Sequence, residues 1–315
     1  MPEASRSDCR QPFRVISFPA MEPIVGPIVG INLPRSADPE KIGKDLRAIR
    51  DNGFDLAEVS LDMCPLIIDG ELCRPWVSRL KGLLAEVPLR YSAHIGRGLD
   101  LRDTGRLEKH RRVLRASIDI CKELDLNPLV LHYEVRSRDL AVEETFHREL
   151  AEAADYAGER GVRLVLENIE VELVDPVIEL VDRIASPNLK LNFDTGHAFL
   201  ASKYFNFDFM AAFRKSLPYL GHIHLSDNTG VFEELRITDR PVYDSMPMGY
   251  RFEYGRGDIH LPPYFGKIPY DEIFALMGEY RGYYLCEYNS ACFLPFNAEV
   301  QAKVRRRIRE LQAPR

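Results

Sequence analysis

Short apolar runs alternate with longer amphipathic segments along most of this chain. Eight runs have the length and the Val, Ile and Leu content of buried strands: PIVGIN at 27–32, FDLAEVSLD at 54–62, LRYSAHIG at 89–96, PLVLHYE at 128–134, RLVLEN at 163–168, KLNFDTGH at 190–197, GHIHLSDN at 221–228 and YYLCEYN at 283–289. Strands of this kind are typical of parallel sheets that are covered by helices. The alternation therefore predicts an α/β fold.

The segments between these runs have the period of helices. In the segment 104–124, for example, Leu107, Leu114 and Ile118 fall on one apolar stripe. Between the sixth and seventh strands the pattern predicts one helix, near 208–216. Eight strand and helix units favour a closed (β/α)8 TIM barrel over an open sheet, since a closed barrel has no exposed edge strand. We expect residues 1–26 to form a lead-in and residues 27–315 a single barrel domain.

One long stretch, residues 229–269, interrupts the alternation between the seventh strand and the seventh helix. It is rich in Gly, Pro and Tyr, and loops of this length are uncommon in compact domains unless they are functional. We therefore expect this long β7–α7 loop to form a lid over the strand ends. The loop also carries side chains that could meet a phosphate or carboxylate, or stack on a sugar ring, although such loop groups are more often solvated: Arg251, Arg256 and Lys267, and Tyr250, Tyr254 and Tyr264.

Polar side chains collect where several of the strands end. In GHIHLSDN, His222 and His224 share one face with Ser226, so that an apolar strand carries two imidazoles on the same side. The strand-like runs RLVLEN, KLNFDTGH and YYLCEYN each end in a carboxylate: Glu167, Asp194 and Glu287. Because barrels place their chemistry at the C-terminal ends of the strands, these groups are expected to converge.

Composition narrows the function classes. The net charge of −6 does not indicate a protein that binds nucleic acid, because such proteins usually carry a basic surface. No run reaches the roughly 18 apolar residues that span a membrane, and the N-terminal residues do not resemble a signal peptide. Six cysteines without CxxC spacing indicate reduced thiols in a cytoplasmic protein. A small-molecule partner fits this composition, and a homo-oligomer is compatible with it.

The ordered series LENIE, NFDTGH, HIHLSD, GRGDI and CEYN resembles the xylose-isomerase-like TIM barrel superfamily of sugar phosphate isomerases and epimerases, which is related to endonuclease IV. The resemblance covers nearly the whole chain from residue 27 onward. It implies one divalent metal ion bound by four residues: Glu167, Asp194, His224 and Glu287. It also implies that His197 binds substrate, and that His94 and His132 bind substrate or an accessory metal ion. We add Glu58 and Arg256 as substrate-binding candidates from their places on the second strand and in the long loop.

The residue types support this assignment independently of the resemblance. Three carboxylates and one imidazole form an oxygen-rich site that suits Mn²⁺ best, with Mg²⁺, Co²⁺ or Zn²⁺ as alternatives. Without a cation, the carboxylates would need other partners, such as Lys190 or arginines at the rim of the barrel. Glu167 and Glu287 are expected on opposite sides of the ion as the catalytic pair. They would transfer a proton through an enediolate and so epimerise or isomerise a small carbohydrate.

Two other reactions remain open at this stage. Elimination from the same enediolate would make the protein a dehydratase or lyase that acts on a cyclic polyol or keto sugar. An endonuclease IV-like phosphodiesterase would bind further zinc ions through His94, His132, His197 and Asp227. The sequence argues against the nuclease, because no Asp-x-His pair lies between His224 and the glycine motif. The pair Asp258 and His260 follows Gly255-Arg256-Gly257.

Overall fold

Eight parallel strands close into a barrel in the computed structural model, which describes residues 26–96 and 98–312. The strands are β1 (Ile28–Asn32), β2 (Leu56–Ser60), β3 (Arg90–Ile95), β4 (Leu129–His132), β5 (Leu164–Glu167), β6 (Leu189–Asp194), β7 (Leu220–Leu225) and β8 (Tyr283–Cys286). Each strand pairs in parallel with the next one along the chain, and β8 pairs with β1. The predicted (β/α)8 TIM barrel is thus confirmed.

Helices cover the outside of the barrel. They are α1 (Pro39–Asp51), α2 (Arg74–Ala85), α3 (Leu107–Leu124), α4 (Leu140–Glu159), α5 (Asp175–Ile184), α6 (Thr195–Phe205), α7 (Phe209–Ser216), α8 (Leu235–Thr238), α9 (Arg240–Ser245), α10 (Met248–Tyr254), α11 (Tyr270–Leu276), α12 (Ser290–Phe293) and α13 (Asn297–Gln312). Three of them, α8 to α10, lie within the long loop 229–269, which connects β7 to α11. A two-stranded antiparallel hairpin joins Ile67–Ile68 to Glu71–Leu72.

The helix α6 departs from the sequence-based expectation, which placed a single helix near 208–216. Asp194, the last residue of β6, caps α6 by accepting a hydrogen bond from the backbone N–H of His197 at 2.6 Å. The first eight residues of α6, Thr195 to Ser202, are all buried. A helix buried on every side has no polar face, and so it lacks the period by which amphipathic helices are found in a sequence.

The outer and inner faces of the barrel strands carry different kinds of side chain. Residues such as Ile31, Val59 and Phe193 pack against the surrounding helices in one large apolar core. Because side chains alternate along a strand, their neighbours face the axis of the barrel. Toward the N-terminal end of the strands these inward side chains are small or apolar, as at Gly30 and Leu56, whereas toward the C-terminal end they are charged.

Several sequence-based expectations concern the whole chain. The predicted lead-in, residues 1–26, lies outside the described residues apart from Gly26, and the two-part division of the chain remains a prediction. Within the described residues, no helix has the length and apolar character needed to cross a membrane. The five cysteines in this part of the chain are free thiols, whereas Cys9 lies outside it.

The close approach of β1 and β2 yields a test of the barrel packing. A Cβ added at Gly30 would lie 2.6 Å from Cδ2 and 2.8 Å from Cβ of Leu56. Gly30→Ala should therefore lower the free energy of unfolding by about 1–3 kcal/mol, because the overpacked barrel must shift to admit one methyl group. Urea denaturation measures this change.

Gly82→Ala in α2 is the matched control, since nothing lies within 4 Å of a Cβ at that position. It should leave stability unchanged or raise it by up to about 1 kcal/mol through helix propensity. Equal effects of the two substitutions would contradict the packing described for β1 and β2.

Candidate metal centre and active site

The four predicted metal ligands converge at the C-terminal end of the barrel. Glu167 and Asp194 are the last residues of β5 and β6, His224 is near the end of β7, and Glu287 follows β8. Strand register places Asp194 directly beside His224. Each of the four residues offers a ligand atom that lies within 4.8 Å of the other three. The fold therefore brings together the whole set that the sequence indicated.

The distances within this set fit a chelated cation. Nδ1 of His224 lies 3.1 Å from Oε2 of Glu287, 3.3 Å from Oε2 of Glu167 and 4.0 Å from Oδ2 of Asp194. Asn192 donates a hydrogen bond to Oε2 of Glu167 at 2.9 Å, while the buried Oε1 has no hydrogen-bond partner among the described residues. A buried carboxylate oxygen without a partner is costly unless something else binds it. Three carboxylates and one imidazole thus suit a hard divalent ion.

Among residues 26–96 and 98–312, no lysine or arginine neutralises these carboxylates. In the described part of the chain, the ion pairs that Glu167, Asp194 and Glu287 make within 4.0 Å are all with histidine. The alternative in which Lys190 or rim arginines balance the carboxylates therefore finds no support. The three carboxylates and the imidazole therefore suit a cation bound from solution.

The pKa values reflect this concentration of charge. Burial, together with the nearby carboxylates of Glu167 and Glu287, raises the pKa of Asp194 to about 7. Burial opposes a charged imidazole, yet the carboxylates of Glu58, Glu167 and Glu287 raise the pKa of His224 well above its usual value. A proton on His224 thus balances part of the negative charge, and a metal ion would have to displace it.

Glu58 lies beside His224 and not in the substrate cavity. Its side chain is 2% exposed, and its Oε1 is 3.3 Å from Nε2 of His224 and 3.6 Å from Nδ1 of His94. Ser92 donates a hydrogen bond to Oε2 at 2.9 Å, and Nε2 of the buried His222 lies 3.4 Å from the same oxygen. Oε1 has no hydrogen-bond partner among the described residues, and Glu58 forms with His94, His224 and Glu287 a group of side chains close enough to hold a cation. The predicted contact of Glu58 with substrate gains no support from this position.

His94 and His132 reach the cavity from β3 and β4. Their Nε2 atoms lie 2.9 Å apart, and Nε2 of His94 lies 3.7 Å from Glu167. Together with Glu167, these two histidines form a further group of side chains that are close enough to hold a cation. Their position beside the four converging ligands is compatible with the predicted substrate contacts and with a second ion.

Asp258 and His260 belong to a further group of candidate metal ligands. This contradicts the sequence-based expectation that their position after the glycine motif keeps them out of such a site. Although both residues follow Gly255-Arg256-Gly257, they lie beside His197 and form with it a group that could hold a cation. Oδ2 of Asp258 is 2.8 Å from Nε2 of His260, and its Oδ1 is 4.0 Å from Nδ1 of His197. The backbone explains this, because an antiparallel bridge between Asp227 and Leu261 returns the long loop to the strand ends.

Asp227 has a structural role in place of the metal contact considered for a nuclease. Its carboxylate accepts hydrogen bonds from the backbone N–H groups of Asn228, Gly266 and Ile268. It is buried and belongs to none of the candidate metal groups among the described residues. The Asp-x-His spacing of 258 and 260 is therefore a sequence signal for this group, and the position of the pair after the glycine motif does not keep it from the strand ends.

A cavity of about 500 Å³ opens above the candidate ligands. The strand ends contribute Glu167, His94, His132, His197 and Glu287 to its lining, and the long loop contributes Arg236, Tyr243, Arg251, Asp258 and His260. The expectation that the loop covers the strand ends agrees with this arrangement. Its movement as a lid remains a prediction.

Arg256, which was predicted to bind substrate, is not part of this lining. Its Nε lies 2.8 Å from Oε2 of Glu233. Of the other loop candidates, Lys267 is exposed, and Tyr250 and Tyr254 pack against each other at 4.6 Å between ring centroids. Arg251 alone of the loop groups named from the sequence lines the cavity.

Solved structures with the same architecture include several sugar epimerases. A D-tagatose 3-epimerase-like protein is 20% identical with a TM-score of 0.66, covering 90% of this chain and 97% of that chain. The 3-keto-D-glucoside 4-epimerase from E. coli is 15% identical with a TM-score of 0.62, covering 89% of this chain and 99% of that chain. A xylose isomerase-like TIM barrel protein from Mycobacterium smegmatis, in complex with magnesium, is 18% identical with a TM-score of 0.67, covering 91% of this chain and 98% of that chain. Identities this low carry the fold alone.

A family model identifies the chain more directly. No curated protein matches the sequence, whereas the family model described as xylose isomerase-like TIM barrel matches residues 46–311. That match includes seven of the eight strands and all the candidate metal ligands. The chain therefore belongs to the family of xylose isomerase-like TIM barrel proteins.

Proposed function

We propose that this protein is a divalent-metal-dependent sugar epimerase or isomerase. The observation that carries the proposal is the convergence of Glu167, Asp194, His224 and Glu287 at one end of the barrel, where Glu167 and Glu287 line a cavity. The similar structures support it, since those named above include a D-tagatose 3-epimerase-like protein and a 3-keto-D-glucoside 4-epimerase. A small carbohydrate is the substrate that this proposal implies.

The four converging residues would hold one ion, for which Mn²⁺ is our first choice. Such an ion, when bound, polarises a substrate carbonyl and makes the neighbouring C–H bond more acidic. Glu167 and Glu287 would then act as the two proton-transferring bases, since they come from different strands and both line the cavity. One removes the proton and the other returns it to the opposite face or to the adjacent carbon.

His197 is the best placed of the predicted substrate-binding histidines. Its Nε2 lies 3.6 Å from Oε1 of Glu167 and its Nδ1 lies 3.1 Å from Oε2 of the buried Glu170. Nδ1 thus faces the carboxylate of Glu170, and Nε2 faces the proposed base. An imidazole held in this way can donate a hydrogen bond to a sugar oxygen.

Loss of one carboxylate ligand should weaken metal binding. After loading with Mn²⁺ and desalting, the wild-type chain should retain about one ion, and Glu287→Gln should retain much less. Elemental analysis measures the ratio. Affinity should also fall as the pH is lowered, because protons compete with the ion for the high-pKa imidazole of His224.

Glu144→Gln makes the same chemical change on an exposed part of α4, where Glu144 pairs with Arg183. This control should retain the ion fully. Retention in Glu287→Gln equal to that of the wild type would remove Glu287 from the set of ligands.

Proton transfer through carbon predicts an isotope signature. A panel of ketoses and sugar phosphates incubated with Mn²⁺ in D₂O should give a product that carries deuterium at the reacting carbon, because a carboxyl proton exchanges with solvent. Glu167→Gln, assayed in excess Mn²⁺ so that the ion is restored, should lower the rate by roughly 10²–10⁴-fold, since an amide cannot accept the proton. NMR follows the exchange, and it also distinguishes an epimer from an isomer or a dehydrated product.

Turnover without any carbon-bound deuterium would contradict this mechanism. Full activity of Glu167→Gln would contradict the role of Glu167 as a base. Glu144→Gln again provides the comparison at an unrelated carboxylate.

Phosphoester hydrolysis is the second candidate, because, among the described residues, two of the three further groups of side chains that could hold cations line the cavity. These two groups share or adjoin the first site, and they comprise His94, His132 and Glu167 on one side and His197, Asp258 and His260 on the other. Closely spaced metal ions are typical of enzymes that cleave phosphate esters. This arrangement would allow more than one ion in the cavity.

Metal content and cleavage separate the two candidates. More than one Zn²⁺ per chain, together with cleavage of an abasic-site oligonucleotide that is lost in Asp258→Asn, would establish the hydrolase and exclude the epimerase. A single ion per chain, with no cleavage and with carbon-bound deuterium in a sugar product, is the result that we expect.

A further inference from the structure

The arginines that line the cavity differ in whether a carboxylate balances them. Among the described residues, the cavity wall contains five: Arg35, Arg106, Arg236, Arg240 and Arg251. The first four each have a carboxylate partner within 4.0 Å, respectively Asp62, Asp103, Glu170 and Asp244. Within the described residues, Arg251 has no carboxylate at that distance.

Arg251 is also among the most buried of these side chains. It is 8% exposed, its guanidinium carbon lies 3.9 Å from the ring centroid of Tyr243, and Nη2 donates a hydrogen bond to the backbone oxygen of Tyr243. Its buried Nε has no hydrogen-bond partner among the described residues. The aromatic ring stabilises the cation in part. A guanidinium removed from water nevertheless remains costly without an anion.

The neighbouring Arg236 shows what a balanced arginine looks like in the same wall. Its Nε pairs with the buried carboxylate of Glu170, and its guanidinium also lies near Tyr243, 5.7 Å from the ring centroid. Glu170 is therefore already engaged, and it does not pair with Arg251. The cavity itself is the remaining place from which an anion can approach Arg251.

We propose that Arg251 binds an anionic group, a phosphate or a carboxylate, on the molecule that occupies this cavity. On the proposed function, this makes the substrate an acidic sugar derivative, with its anionic end under the long loop and its reacting carbons over Glu167 and Glu287. The planar guanidinium matches the two oxygens of either group. The negative floor would disfavour the same anion beside the glutamates, and so the charges set the direction in which the substrate lies.

Binding of small anions tests this without any turnover. In buffer containing Mg²⁺, inorganic phosphate and acetate are titrated into the full chain by isothermal calorimetry. The wild type should bind at least one of them saturably, and which one it prefers distinguishes a phosphate from a carboxylate. Arg251→Gln should weaken that binding by about tenfold or more, because a charge-assisted hydrogen bond contributes about 1.5–3 kcal/mol.

Two further variants make the result specific to Arg251. Arg240→Gln removes an arginine from the same wall that is half exposed and already paired with Asp244, and it should leave anion binding unchanged. Arg251→Lys keeps the charge but loses the planar fork, and its affinity should fall between those of the wild type and Arg251→Gln. It also provides a measurement if Arg251→Gln does not fold.

No saturable anion binding in the wild type would overturn the proposal. So would equal affinity in the wild type and both Arg251 variants, or an equal loss in Arg240→Gln. The assay needs neither proton transfer nor a sugar. Its failure would therefore leave the epimerase proposal standing, and absence of deuterium exchange would leave the anion site standing.

Discussion

The burial of carboxylates at one end of the barrel is the constraint on which the site depends. Glu58, Glu167 and Asp194 are each at most 2% exposed, and in the described structure their ion-pair partners are imidazoles. Such a cluster is costly in a low-dielectric interior unless a cation or protons balance it. The histidines supply part of that balance, and a divalent ion at the strand ends would supply the rest.

The barrel accommodates these buried charges because the outer faces of its strands carry the apolar packing and the inner faces carry the charges. Apolar side chains on the outer faces of the strands pack against the helices in a continuous core. The inward-facing positions near the C-terminal ends are thereby free to carry charge. Glu58 shows that the polar set extends beyond the cavity lining, because its buried Oε1 lies 3.3 Å from Nε2 of His224.

Much of this was predictable from local patterns in the sequence. The eight strands follow from their apolar runs, and the ligands Glu167, Asp194 and Glu287 follow from carboxylates at strand ends. The helix α6 could not be found in this way, because it is buried on all sides. Asp258 and His260 were misjudged, since the bridge that returns the long loop to the barrel is a contact between distant segments that no local period reveals.

The arginines of the long loop show the same limit. Sequence reasoning could not separate Arg251 from Arg256, as both are arginines in an irregular segment. Their difference arises from packing, which buries Arg251 against Tyr243 and pairs Arg256 with Glu233. Partner assignment in a loop of this length depends on how its short helices α8 to α10 fold over the strand ends.

We propose that the buried carboxylates at the strand ends bind a cation. Anomalous X-ray diffraction at the manganese edge, from crystals grown with Mn²⁺, tests it most directly. The account predicts one strong peak within ligand distance, about 2.0–2.6 Å, of Glu167, Asp194, His224 and Glu287. The absence of a peak between these four residues, while Mn²⁺ is bound elsewhere on the chain, would contradict it.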